Sequence, residues 1–152
     1  MVKEIRIYVE GGGDDKNTKI PLRKGFDGFF SELKLLARNN KIKWYTIACG
    51  SRESAFYEFL MAKQSHTHAF NILLVDSENP VTTLPWQHLK SQDGWNLCQD
   101  HEENCHVMVQ VMESWFMADV DSLKNFYGTG FRGKSIPKVH DVETIDKEKV
   151  LN

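Results

Sequence analysis

Long apolar runs are absent from this chain, and with them any candidate for a membrane-spanning helix. An excess of one charge is also lacking: 19 Lys+Arg stand against 21 Asp+Glu, a net charge of -2. No global basic footprint exists of the kind that drives nonspecific nucleic-acid binding, so any such contact must be local or metal-mediated. Cysteine is sparse and odd in number, three at irregular spacing. That fits free thiols in a reducing compartment better than a disulfide framework. The start, MVKEIRIYVE, runs into charged strand sequence rather than the apolar segment of a signal peptide. A cytoplasmic protein with no membrane partner is expected.

With 41% hydrophobic residues over 152 positions, the sequence can bury one proper core, and a single domain over 1–152 is expected. The stretch that organises it is RIYVEGGGDD, Arg6 to Asp15. Ile5, Ile7 and Val9 alternate as in a buried strand, which stops on Glu10 and three glycines. Glycines there permit a sharp turn and a close approach by a ligand. The same stretch is no phosphate-binding P-loop, because it lacks the second glycine before Lys16 and its aspartates would repel phosphate.

Further along, Lys16 to Ile20 reads as a mobile polar loop, followed by one amphipathic helix from Leu22 through Phe26, Phe29, Phe30, Leu33, Leu35 and Leu36 to Asn39-Asn40. Pro21 suits that helix's first turn. A second strand covers Ile42 to Ala48, and Ser51 caps a helix containing Ala55, Phe59 and Met61. Phe70 to Val75 is nearly continuous in its apolarity, as a central parallel strand covered on both faces would be, and it stops on Asp76-Ser77-Glu78. A short helix about Trp86 to Lys90, a fourth strand over Val107–Met112 ending on Glu113, a helix from Asp121 to Phe126 and a barely begun helix after Asp146 complete the pattern. Trp115 and Phe116 are expected in the core. Cys98, His101, Cys105 and His106 are spaced too tightly for common structural zinc sites.

Strands alternating with helices predict an α/β fold with a mainly parallel sheet of about four strands flanked by helices. Ligands of such sheets bind beyond the strands' carboxyl ends. Three predicted strands end on acids there: Glu10, Asp76 with Glu78, and Glu113. Crowded carboxylates repel unless a proton or cation intervenes, and an all-oxygen set suits Mg²⁺ or Mn²⁺. Arg52, opening the helix after the second strand, is placed to hold a phosphate together with that helix's amino end.

Glu10-Gly11-x-x-Asp14 after the first strand and Asp76-x-Glu78 after a later one resemble the Toprim domain of topoisomerases, primases and overcoming-lysogenization-type nucleases. The segments VEGGGD, LRKGF, CGSR, LLVDSENP and VQVMESWFMAD, in that order, look more closely like a small Toprim-like family often encoded beside an ATPase in bacterial phage-defence operons. The resemblance implies a Toprim-like (Rossmann-like) fold and a metal-dependent nuclease acting on DNA or RNA. It puts acid/base chemistry or metal binding on Glu10 and Mg²⁺ binding on Asp76 and Glu78. Asp-Ser-Glu replaces the usual Asp-x-Asp, and the longer carboxylate still reaches a cation. Glu113 matches only the closer family, so its place among the metal ligands rests on the shared edge. That family also continues further, so the domain is expected to be truncated at its C-terminal end. Two other functions fit the pattern: a noncatalytic regulatory or partner subunit of an ATPase complex, and a receiver-like phosphoacceptor domain, which would require a lysine after a later strand.

Overall fold

The computed structural model describes residues 2–13 and 15–151. Four strands form one all-parallel sheet: β1 (Glu4–Glu10), β2 (Lys43–Gly50), β3 (Ala69–Asp76) and β4 (Cys105–Met108), in the order β2-β1-β3-β4. β1 pairs in register with both neighbours, Glu4 opposite Lys43 and Ala69, and Val9 opposite Ala48 and Leu74. β4 is tied to β3 by hydrogen bonds from Leu73 N–H to the Asn104 carbonyl and from Ser77 N–H to the Met108 carbonyl. Consecutive buried residues, Ile7-Tyr8-Val9 on β1 and Leu73-Leu74-Val75 on β3, show why these segments are strands: both faces of the sheet are covered. The α/β parallel architecture expected from the sequence is therefore present.

The described residues fall into two compact units, one running up to Val75 and including Cys98–His106, the other made of Asp76–Leu97 and the chain from Val107 onward. In the first, α1 (Lys16–Phe29), α2 (Ser31–Asn39) and α3 (Arg52–Ser65) surround the strands. Ser51 caps α3 as expected, its hydroxyl accepting from Ser54 N–H. Lys16 to Ile20, however, is not a loop. The Asp15 carboxylate accepts from Asn17 N–H and starts α1 there, so Pro21 sits inside the helix, where it has no N–H to give. Nor is the next helix single. The chain breaks at Phe30 (φ -88°, ψ 15°), whose ring is held between Phe26 and Trp44 at centroid distances of 5.8 and 5.6 Å. Beyond that break only Ala37 of α2 is buried, and Leu33, Leu35 and Leu36, read from the sequence as apolar positions of one amphipathic helix, are each more than half exposed, as is Phe29 at the end of α1.

The second unit contains α4 (Pro85–Asp93), α5 (Glu113–Phe116), α6 (Val120–Tyr127) and α7 (Lys147–Leu151), with Leu89, Leu97, Met108, Val111 and Ile145 buried. α4 has proline at its first position and ends on Gly94 in the left-handed region, φ 68°. α6 is capped by Asp119, not Asp121: the Asp119 carboxylate accepts from both N–H and hydroxyl of Ser122. β4 is shorter than the apolar run VMVQVM suggested, stopping at Met108. Phe116 is half exposed rather than core. No helix among the described residues is long and apolar enough to cross a membrane.

Candidate functional site

The strand order fixes where a ligand site belongs. From β1 the chain moves to β2 and then returns past β1 to β3, so the direction of winding reverses between β1 and β3. At such a switch point the two crossovers leave on opposite faces, and a crevice opens beyond the carboxyl ends of the two strands. β1 ends on Glu10 and β3 on Asp76, one acid for each strand flanking the switch point.

Glu10 is set by its own unit. After it the backbone turns through Gly11, Gly12 and Gly13 with φ of 113°, 82° and 55°, angles that favour glycine. Gly11 bonds both ways with Gly50, N–H to carbonyl at 2.8 Å and the reverse at 3.1 Å. A Cβ on Gly12 would come within 3.0 Å of Lys19 Cα, so the glycines make room for α1 itself rather than only for a ligand. Thr18 Oγ1 donates to the Gly12 carbonyl and closes the turn. Arg52, the first residue of α3, directs Nη1 to Glu10 Oε2 at 3.2 Å, with the two side chains only 11% and 19% exposed. The guanidinium expected to face a phosphate is thus placed first of all to hold Glu10. Asp14 lies outside the described residues.

Asp76 and Glu78 are held within the second unit. Asp76 Oδ1 accepts from Met112 N–H at 2.8 Å. Ser77 between them is wholly buried, its hydroxyl donating to the Asn79 carbonyl and its own carbonyl 2.9 Å from His88 Nε2. This anchorage turns Glu78 into the left-handed region, φ 62°, which costs a residue with a Cβ about 1–2 kcal/mol. Its N–H donates to the Gln110 carbonyl, and its Oε2 receives Lys147 Nζ at 2.7 Å. The Gln110 side chain accepts from Lys147 N–H at 3.2 Å, so one residue steadies both partners of the ion pair. The bond to Glu78 raises the Lys147 ammonium's pKa above the ordinary lysine value. Lys147 escaped the sequence reading because it stands 69 residues from Glu78 in an ordinary charged stretch, IDKEKV. Glu113 does not end a strand. It opens α5, because β4 stops at Met108.

The two buried cysteines are poor nucleophiles. Burial, foremost, and then Glu58 push the Cys49 thiol up to about 12, and burial does the same to Cys105. Exposed Cys98 has its sulfur 3.3 Å from His101 Nδ1.

The fold and these strand-end acids define the class: a parallel α/β domain with a carboxylate on each strand of its switch point. The chain belongs to the family described as a domain of unknown function (DUF4276), whose model matches residues 9–152 and so takes in Glu10 and everything after it. No curated protein and no solved structure matches the chain.

Proposed function

We propose that this chain is a Toprim-like, metal-dependent nucleic-acid phosphodiester hydrolase of the cytoplasm, acting in phage defence beside an ATPase partner. The observation that carries this reading is the pair of acids at the switch point, Glu10 ending β1 and Asp76 ending β3. A second acid follows two residues later, in a backbone conformation that a glutamate adopts only at a cost. Strain of this sort is retained where the surroundings over-determine it, most often at functional positions.

The donors are all carboxylate oxygens, which fits a hard cation such as Mg²⁺ or Mn²⁺ and not a thiolate- or imidazole-preferring metal. Glu10, Asp76 and Glu78 would hold the ion, with Glu113 joining from the first turn of α5. Such an ion supplies polarisation of a phosphate oxygen and a lowered pKa for a water molecule. Arg52 fixes the direction of the Glu10 carboxylate, which binds the ion or takes a proton. Met112 N–H does the same for Asp76, which it holds through Oδ1. Lys147 neutralises Glu78 and competes with the cation for it.

Lys147→Met is therefore expected to tighten Mn²⁺ binding several-fold, while the loss of a solvent-screened ion pair leaves the melting temperature nearly unchanged. Calorimetric titration measures the first and a thermal melt the second. Weaker binding in this variant would remove Glu78 from the ligand set.

The test of function is cleavage of supercoiled plasmid and of a single strand in Mg²⁺ and in Mn²⁺, with and without the ATPase. Wild type should cleave, and Glu10→Gln should lose about 10²-fold or more, the usual loss on removing an acid/base group. If wild type cleaves neither substrate under any of these conditions, the regulatory reading replaces the enzymatic one.

A further inference from the structure

The chain's charge is balanced overall but not locally. Two adjoining grooves of about 590 and 700 Å³ follow β2, the outermost strand on its side of the sheet, and share Lys34, Trp44 and Tyr45 in their walls. The first is lined by four cations, Lys16, Lys19, Arg23 and Lys34, and the second adds Arg38, Lys41 and Lys43. Among the described residues lining them the single acid is Asp27, already bound to Lys34 at 2.8 Å and to the Thr46 hydroxyl at 3.1 Å. With 19 Lys+Arg and 21 Asp+Glu in the whole chain, an even scatter would have put as many acids here as bases. One or two lysines on an edge strand are explained by protection against edge-to-edge pairing. That does not account for the bases contributed by α1 and α2.

An aromatic ring borders this positive strip from the other face of β2, because side chains alternate along the strand and Trp44 and Thr46 are the ones turned toward α1 and α2. Tyr45 is 38% exposed, and the Arg6 guanidinium lies 4.7 Å from its ring centroid, which fixes the ring's orientation from one side. Half-buried Trp44, next in sequence, faces the other way and packs on Phe30, its indole N–H donating to the Thr46 hydroxyl. A row of cations with an exposed, oriented aromatic ring is the composition of a single-strand binding groove: phosphates follow the charge, and an unstacked base covers the ring. A duplex, whose bases are already stacked, cannot use the ring.

We propose that the β2 edge is a track for one strand of nucleic acid, phosphates on Lys16, Arg23 and the Arg38 to Lys43 cations, a base on Tyr45. This deepens the hydrolase reading and rests on it, because it makes the substrate single-stranded and places its binding on the first unit alone.

Binding of a labelled 20-nucleotide oligo(dT), followed by fluorescence anisotropy in EDTA over a salt series, tests the track without involving the metal. Wild type should bind with a log–log salt slope that Arg23→Gln/Lys43→Gln makes shallower by roughly 1.4, about 0.7 for each phosphate that is no longer neutralised. Tyr45→Ala should weaken binding about tenfold, Tyr45→Phe should restore it, and the equal charge loss Lys124→Gln/Lys138→Gln should change neither slope nor affinity. A duplex of the same length should bind at least about tenfold more weakly than the single strand. If the groove variants bind like wild type while wild type still cleaves in Mn²⁺, the track is wrong and the hydrolase stands. If the track behaves as stated and no cleavage occurs, the hydrolase reading alone fails. If polyglutamate displaces the oligonucleotide and Tyr45→Ala has no effect, the occupant is an acidic peptide and the proposal is overturned.

Discussion

Asp76→Asn is expected to melt at or above the temperature of metal-free wild type and to lose both the metal-dependent rise in melting temperature and cleavage. The substitution removes one charge at nearly constant volume, and the amide oxygen of asparagine can still accept the Met112 N–H that Asp76 Oδ1 now receives. The fold therefore keeps its hydrogen bond and sheds repulsion from the neighbouring acids. What it loses is a ligand charge. In wild type an ion present at about 100 times its dissociation constant adds about 2.7 kcal/mol, which in a chain of this size raises the melting temperature by roughly 5–10 °C. Asp76→Asn should show almost none of that rise, and its cleavage rate should drop by about 10²–10³-fold. Thermal melts with and without Mn²⁺, read beside the cleavage assay, check both halves. An apo mutant clearly less stable than apo wild type would mean that the carboxylate is structural.

Arg52→Ala should act in the opposite way, on stability first. The guanidinium and Glu10 are both largely withdrawn from water, so truncating one deprives the other of its counter-charge. Taking a hydrogen bond to a charged group as about 1.5–3 kcal/mol, and discounting for residual exposure, the loss should lower the melting temperature by several degrees. Cleavage should fall as well, because Glu10 no longer has a fixed direction. Arg52→Lys separates the two contributions: it keeps the charge without the planar fork and should recover stability more fully than activity. If Arg52→Ala weakened substrate binding and left the melt unchanged, the residue would be a phosphate ligand and its bond to Glu10 incidental.

The parallel sheet was legible in the sequence because its strands are buried on both faces and announce themselves as apolar runs, Phe70 to Val75 most clearly. Glu10 and Asp76 were legible for the same reason, since a run that ends on an acid marks both a strand terminus and a site. Where the reading failed, the deciding contact was with a residue distant in the chain, or a local signal had two meanings. Asp15 was grouped with the acids of the turn, yet it caps α1, so that a stretch taken for a loop over the site is the helix's first turn. Val107 to Met112 is apolar throughout save for Gln110, and nothing within it shows that β4 stops at Met108, which moves Glu113 into a helix. The apolar face of α2 is real in the sequence but is left exposed by the break at Phe30, which depends on Trp44. Arg52 and Lys147 are paired over 42 and 69 residues. Local pattern carries no trace of such pairs, although they decide how Glu10 and Glu78 are aimed.

The left-handed Glu78 is the feature that ties these pieces together in the second unit. A glycine would relax the backbone there, and the chain instead keeps a carboxylate, fastened by Gln110 and Lys147. Holding that residue in place is a cost to stability that a purely structural turn does not require.

The central claim, that Glu10, Asp76 and Glu78 form a site for a divalent cation, is tested most directly by calorimetric titration of Mn²⁺ into wild type, Asp76→Asn and Glu10→Gln. Wild type should bind with a dissociation constant of the order of 10⁻⁴ M, a usual strength for a partly open oxygen site. Asp76→Asn should bind at least about a hundredfold more weakly, and Glu10→Gln should follow it if Glu10 is a ligand or retain wild-type affinity if Glu10 acts only on protons. No detectable binding to wild type at millimolar Mn²⁺ would contradict the account.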